Sequence, residues 1–159
     1  KSTAEALSYA WQTVVPHGQV SVVDYYDEFV SPVVTQAATI GYTQSVRLLP
    51  QGYSLFYRVT RDLKPDSPAQ RWLNSIGRRD LENYLKAHQA DVIVGVHPTP
   101  CGALACMREA GLLNTPVVTV VTDYVVHAQW IHPGTDLYLV GSDTVRDGFI
   151  ERGVAPEKI

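Results

Sequence analysis

Cysteine is scarce in this chain. Cys101 and Cys106 are the only two, five positions apart in one expected helix. One helix cannot easily bridge them, and they lack partners at zinc-motif spacing. Reduced packing thiols of a cytosolic protein are expected instead. No apolar run approaches the ~20 residues of a membrane span. No Walker loop and no Gly-x-Gly-x-x-Gly occur, so the chain offers no nucleotide site of its own. A Gly-x-Ser-x-Gly elbow is missing too, which removes the serine-hydrolase reading. Strong net charge is absent, the balance being −3. The sequence carries no nucleic-acid motif, so no nucleic-acid partner is expected. There is no internal repeat and no low-complexity tract.

What remains is a 159-residue chain, 45% hydrophobic, enough for one domain with a real core. Its charge is unevenly spread. Residues 42–90 hold eight basic side chains against four acidic ones, and the remainder is strongly acidic. Arginines and aromatic rings interleave there: Arg47, Tyr53, Phe56, Tyr57, Arg58, Arg71 and Trp72. Rings at headgroup level and arginines facing anionic lipid fit a membrane-binding surface. An ordinary solvated helical face is the plainer alternative.

The pattern along the chain sorts into elements. Ser2-Thr-Ala-Glu5 resembles a capping box, and Ala4, Leu7, Ala10 and Trp11 form a helical stripe that Pro16-His17-Gly18 ends. Val20–Val23 reads as a short buried strand closing at Asp24. Ser31-Pro32 starts a helix running towards Leu49. After the break at Pro50-Gln-Gly52, a second helical stretch covers Tyr53 to about Leu63. Lys64–Pro68 is a loop, and one helix is expected from about Ala69 to His88. Then the rhythm becomes regular: strand at 91–96, turn at His97–Pro100, helix at 102–111, strand at 117–121, strand at 136–140, and a helix from about Thr144 to Arg152 stopped by Gly153. Val154–Ile159 looks like a loop entering another strand. Strands alternating with helices predict an α/β fold, with a Rossmann-like parallel sheet covered by helices on both faces.

In an open α/β sheet, ligands bind outside the carboxyl ends of the strands. Two segments put reactive side chains there. His97 follows one strand directly and precedes Pro98; it can contact a ligand or move a proton. Asp123 ends the next strand, where a carboxylate can orient a hydroxyl-bearing substrate or a histidine, or cap the loop. His127 is near enough to share the crevice. Trp130 can form an apolar wall or stack on a sugar or lipid glycerol, or pack in the core. His132, before Pro133-Gly134, reads as a turn residue. A metal site from His97, Asp123, His127 and His132 does not match known spacings, and none is expected.

Several segments in order carry a family resemblance: Lys1–Leu7, Val22–Asp24, Asp91–Pro98, Thr119–Asp123, His127–Trp130 with His132–Gly134, and Asp136–Ser142. With these the chain resembles the N-terminal domain of the monogalactosyldiacylglycerol synthase family, which includes bacterial processive diacylglycerol glucosyltransferases. The resemblance implies the N-terminal half of a GT-B glycosyltransferase. In that family the N-terminal domain docks on the membrane and holds the lipid acceptor, and a C-terminal domain binds the sugar nucleotide. The implied reaction moves a hexose from a UDP-sugar to diacylglycerol with inversion. The implied location is cytoplasmic, peripheral on the inner face of the cell membrane. His97, Pro98, Asp123, His127 and Trp130 would line the acceptor side of the cleft.

The family's glycine-rich loop, which ends in its candidate catalytic histidine, is not among these residues, so no catalytic base is assigned. Residues 1–159 are therefore expected to be one acceptor- and membrane-binding domain of a longer chain, inactive alone, with the UDP-sugar donor bound elsewhere. Three other readings stay open. One is a transferase acting on another lipid, such as a polyprenyl acceptor. Another is a stand-alone lipid-binding or interaction module without catalysis. The third is a small α/β enzyme using His97 and Asp123 directly.

Overall fold

The computed structural model describes residues 2–33, 35, 36 and 67–159. Six helices lie wholly in that part: α1 (Ser2–Val14), α2 (Tyr25–Phe29), α3 (Pro68–Ser75), α4 (Arg78–Ala87), α5 (Pro98–Glu109) and α6 (Asp143–Glu151). Three strands, β1 (Ile93–Gly95), β2 (Val117–Val120) and β3 (Leu137–Leu139), form one sheet in the order β1-β2-β3. Both pairings are parallel, with Gly95 opposite Thr119 and Thr119 opposite Tyr138. Parallel neighbours need a crossover between them, and α5 supplies the one from β1 to β2. The fold is therefore α/β with a Rossmann-like parallel sheet, the class expected from the alternating pattern.

One face of the sheet is closed by α5 and α6. Val117, Thr119 and Tyr138 are each at most 2% exposed. Against them pack Cys101, Leu104 and Met107 of α5, and Val145 and Phe149 of α6. Small residues make this approach possible. A side chain at Gly95 would collide with the Cys101 thiol, and one at Gly134 would stand 2.8 Å from the Ala105 carbonyl carbon. On the other face, Val94, Leu137 and Leu139 are exposed.

Arg108, near the end of α5, ties the sheet together at its amino edge. Its Nε and Nη2 donate to the two Asp136 oxygens at 3.1 and 2.8 Å, and Nη1 donates to the Leu113 and Asn114 carbonyls. Asp136 Oδ2 also accepts the Val117 amide at 2.8 Å. These donors, Arg108 foremost, hold the Asp136 carboxyl below its usual range. The clasp fixes where β2 and β3 begin, and so where their far ends deliver side chains.

Four expectations need correction. Val20–Val23 is not a strand: the segment pairs with none of the described strands, and Val22 and Val23 are exposed. A short β-branched run is ambiguous by periodicity alone. Asp24 instead caps α2, its side chain accepting the Tyr26 and Asp27 amides. The helix expected over 69–88 is two, α3 and α4. Gly77 between them has φ 72°, and a side chain there would press on the Phe29 carbonyl. The turn expected at His97–Pro100 is the start of α5, with His97 as N-cap and Pro98 in the first turn. The loop expected over Val154–Ile159 carries a 3-10 turn at Pro156–Lys158, where no regular turn was expected. Gly153, at φ 88°, stops α6 as expected. Thr35 donates its amide to Ser31 at 3.0 Å, so a helix does begin at Pro32. Its extent towards Leu49, and the stretch from Tyr53 to Leu63, lie outside the described residues.

Candidate functional site

The parallel register sets β1 and β2 side by side, so their carboxyl ends open at one edge of the sheet. His97 stands two residues beyond Gly95, and Asp123 three beyond Val120. Extended backbone at His97 (φ −146°, ψ 143°) turns the chain into α5, and the side chain makes no cap bond to that helix. The ring is thereby left to other partners. Tyr26, on α2, meets it edge-on with centroids 5.5 Å apart, its hydroxyl 3.4 Å from Nδ1. The same hydroxyl donates to Thr99 Oγ1 at 2.9 Å. His97 is in the exposed class by surface area, yet enough protein backs the ring to lower its pKa by desolvation, against the opposing pull of Asp123. Desolvation therefore favours the uncharged ring.

Asp123 is exposed, but it is not loose. The Trp130 indole N–H donates to its Oδ2 at 2.7 Å. Trp130 is 1% exposed and packs with Val121, Tyr138, Val145 and Phe149. The indole thus reaches the site from below, through its N–H, with its rings in the core. His127 is 6% exposed and starts the 3-10 turn Ala128–Trp130, where its Nδ1 accepts the Gln129 amide at 3.3 Å. His132 is 4% exposed; its Nε2 lies 2.8 Å from the Gln129 carbonyl, and burial lowers its pKa. Its amide and carbonyl both bond the Tyr138 hydroxyl at 2.9 Å. These interactions brace the turn that carries Trp130 under Asp123.

The structure thus brings His97, Pro98 and Asp123 to one edge and puts Trp130 and His127 in the support beneath. It adds Tyr26 and Thr99, which the sequence pattern did not single out. The available signal was Asp24, an Asx N-cap that starts a helix bearing Tyr25-Tyr26. Tyr25 is a packing residue whose hydroxyl donates to the Ile76 carbonyl, and burial raises its pKa strongly. Cys101 is also interior, its thiol pushed up to about 11 by desolvation, and both cysteines are free. Among the described residues no group of three or more His, Cys, Asp or Glu side chains could hold a metal.

Two open hollows lie beside these residues and contain neither His97 nor Asp123. One of about 510 Å³ is bounded by Asp27, Pro32, Thr35 and Gln36. The other, about 430 Å³, lies at the end of β3 beside Ser142, Asp143 and Arg146. His97 and Asp123 are both exposed at the edge of the sheet.

Of the residues expected to face a membrane, the described ones are Arg71 and Trp72, both exposed on α3, with Trp72 64% exposed. Arg47, Tyr53, Phe56, Tyr57 and Arg58 lie outside the described residues. Among the described residues, no helix is long and apolar enough to cross a membrane.

Comparison with known proteins now decides the family. The model of the Monogalactosyldiacylglycerol (MGDG) synthase family matches residues 1–159. This chain belongs to that family. A processive diacylglycerol beta-glucosyltransferase of Bacillus cereus (strain 03BB102) is 31% identical over 140 residues, which cover 88% of this chain and 35% of the relative. Proteins of the same description from Bacillus thuringiensis (strain Al Hakam) and Bacillus anthracis (strain CDC 684 / NRRL 3495) are 30% identical over the same shares. The chain thus spans about a third of the length of the curated relatives it matches. No solved structure matches it.

Proposed function

We propose that this chain is the acceptor side of an inverting glycosyltransferase that moves a hexose from a UDP-sugar to the hydroxyl of diacylglycerol. The observation that carries the reading is the family match over all 159 residues. The relatives' descriptions name diacylglycerol glucosyl transfer, and the matched part takes 35% of their length. That proportion leaves room for a second, donor-binding domain in a GT-B arrangement.

Within the chain, the edge of the sheet does the acceptor's work. A lipid with its tails in the membrane can present only its headgroup to an open rim. His97 and Asp123 are there to hold the hydroxyl, with Pro98 as the adjoining apolar rim and the turn of His127 and Trp130 fixing Asp123 from behind. Inverting transfer requires a base for the hydroxyl proton and donors for the leaving diphosphate; the donors are expected in the donor-binding part. Exposed Arg71 and Trp72 suit a peripheral position on an anionic, cytoplasmic membrane face. The finer points are tested together by supplying the intact protein with UDP-glucose, UDP-galactose, diacylglycerol and a polyprenyl phosphate. A β-linked diacylglycerol product supports the reading. Transfer to the polyprenyl lipid alone refutes the acceptor assignment. Diacylglycerol binding with no transfer from either donor favours a lipid-binding module.

A further inference from the structure

We propose that Tyr26 is a positioning residue that sets the tautomer of His97, so that the ring offers a bare Nε2 to the acceptor's hydroxyl. The second half of this inference rests on the acceptor-site reading above; the first half does not.

A tyrosine hydroxyl has one hydrogen to donate and lone pairs to accept with. Tyr26 has two neighbours, Thr99 Oγ1 at 2.9 Å and His97 Nδ1 at 3.4 Å. The nearer one is at normal O–H···O distance, and the phenol is the more acidic of the two hydroxyls, so its hydrogen goes to Thr99. What Tyr26 then turns towards His97 is a lone pair. Only a protonated Nδ1 can use it. In a neutral imidazole the other nitrogen must then be unprotonated. Nε2 has no hydrogen-bond partner among the described residues, and His97 as a residue is exposed. A neutral ring is also what its partial desolvation favours.

An accepting Nε2 at the carboxyl edge of β1 suits one ligand chemistry, a hydroxyl that must be held through its hydrogen. The primary hydroxyl of diacylglycerol is such a group. An anion would be repelled by that lone pair and by the Asp123 carboxylate nearby. Thr99 takes part indirectly, since it draws the Tyr26 hydrogen away from the histidine.

The test labels the histidines of the intact protein with ¹⁵N and reads long-range ¹H–¹⁵N couplings, with His97 assigned through His97→Gln. At a pH about two units above the ordinary histidine pKa, the wild type is expected to show the Nδ1–H form. Tyr26→Phe keeps the edge-on ring but loses the lone pair. Thr99→Val keeps Tyr26 but frees its hydrogen for Nδ1. Both are expected to convert His97 to the Nε2–H form, which an unconstrained imidazole prefers. Variants that hurt packing alone would leave the tautomer unchanged. Nε2–H in the wild type, or Nδ1–H retained in both variants, overturns the positioning role.

Diacylglycerol in mixed micelles is expected to move the His97 Nε2 resonance of the wild type. In Tyr26→Phe the KM for diacylglycerol is expected to rise about tenfold, the equivalent of one hydrogen bond, with the donor KM unchanged. A wild type that transfers sugar with no movement at Nε2 overturns the acceptor contact. A wild type that transfers none counts against the proposed function, while the tautomer result stands by itself.

Discussion

Replacing Trp130 by phenylalanine removes the indole N–H that ties Asp123 to the core. The indole N–H donates to Oδ2 at 2.7 Å, and the side chain is 1% exposed. A hydrogen bond to a charged group contributes about 1.5–3 kcal/mol. Asp123 is exposed, so water takes over part of the lost bond and the low end, about 1.5 kcal/mol, applies. Phenylalanine also leaves an empty space of a few tens of Å³, at about 24 cal/mol per Å³, for roughly 1 kcal/mol more. Together these give about 2.5 kcal/mol, or a fall in Tm of roughly 5–10 °C for a chain of this size. Unfolding followed by circular dichroism measures the total. A double-mutant cycle with Asp123→Ala isolates the bond, with an expected coupling of about 1 kcal/mol. A coupling indistinguishable from zero would mean that Asp123 is not held from below, and the support assigned to the His127–Trp130 turn would fall with it.

Other consequences can be measured separately. Gly134→Ala forces a methyl against the Ala105 backbone; a loss of about 1–3 kcal/mol is expected in urea unfolding, and a neutral result would mean the two segments are farther apart than described. Asp136 has a depressed carboxyl pKa. Its contribution is therefore full above the unfolded carboxylate value, about 3.9, and is lost as pH falls through the lower folded value. Asp136→Asn is expected to reduce stability at neutral pH and to flatten the acid limb of a stability–pH curve; an unchanged limb contradicts the clasp. Arg71→Glu and Trp72→Ala are expected to weaken binding to anionic liposomes, with the arginine effect fading as salt rises. Equal binding of wild type and variants to neutral and anionic vesicles would remove the electrostatic part of the membrane reading.

The legible part of the fold is the part with a strong period. Short apolar runs followed by turn residues, rich in Val and Ile at β1 and β2 and Leu-Tyr-Leu at β3, mark all three strands within a residue or two. Ser142 starts α6 with its side-chain oxygen, which accepts the Val145 amide, and Gly153 stops it with a left-handed backbone. Where the sequence misled, the deciding fact was tertiary or positional. Val20–Val23 has strand composition, but composition cannot tell whether a neighbouring strand is present to bond it. Gly77 is a weak helix breaker by propensity, yet its left-handed backbone beside Phe29 divides α3 from α4. Pro98-Thr-Pro100 reads as a turn because proline breaks helices, although proline in the first turn begins one equally well.

The candidate site shows the same division. His97 and Asp123 are visible because strand ends can be counted along the chain. Tyr26 is 71 residues from His97, and no local pattern joins them; only folding α2 against the start of α5 does. The Trp130 indole was legible as a large ring near Asp123, but not the direction of its N–H. That direction makes it a support and puts its rings in the core.

We propose above that this edge of the sheet holds the lipid acceptor of a sugar transfer. The most direct measurement is the steady-state rate of the intact protein with UDP-glucose and diacylglycerol, each varied in turn, for wild type and His97→Gln. The account predicts glucosyl-diacylglycerol from the wild type, and in the variant a KM for diacylglycerol raised about tenfold with the KM for UDP-glucose unchanged. A variant whose donor KM rises while its acceptor KM stays the same would contradict it.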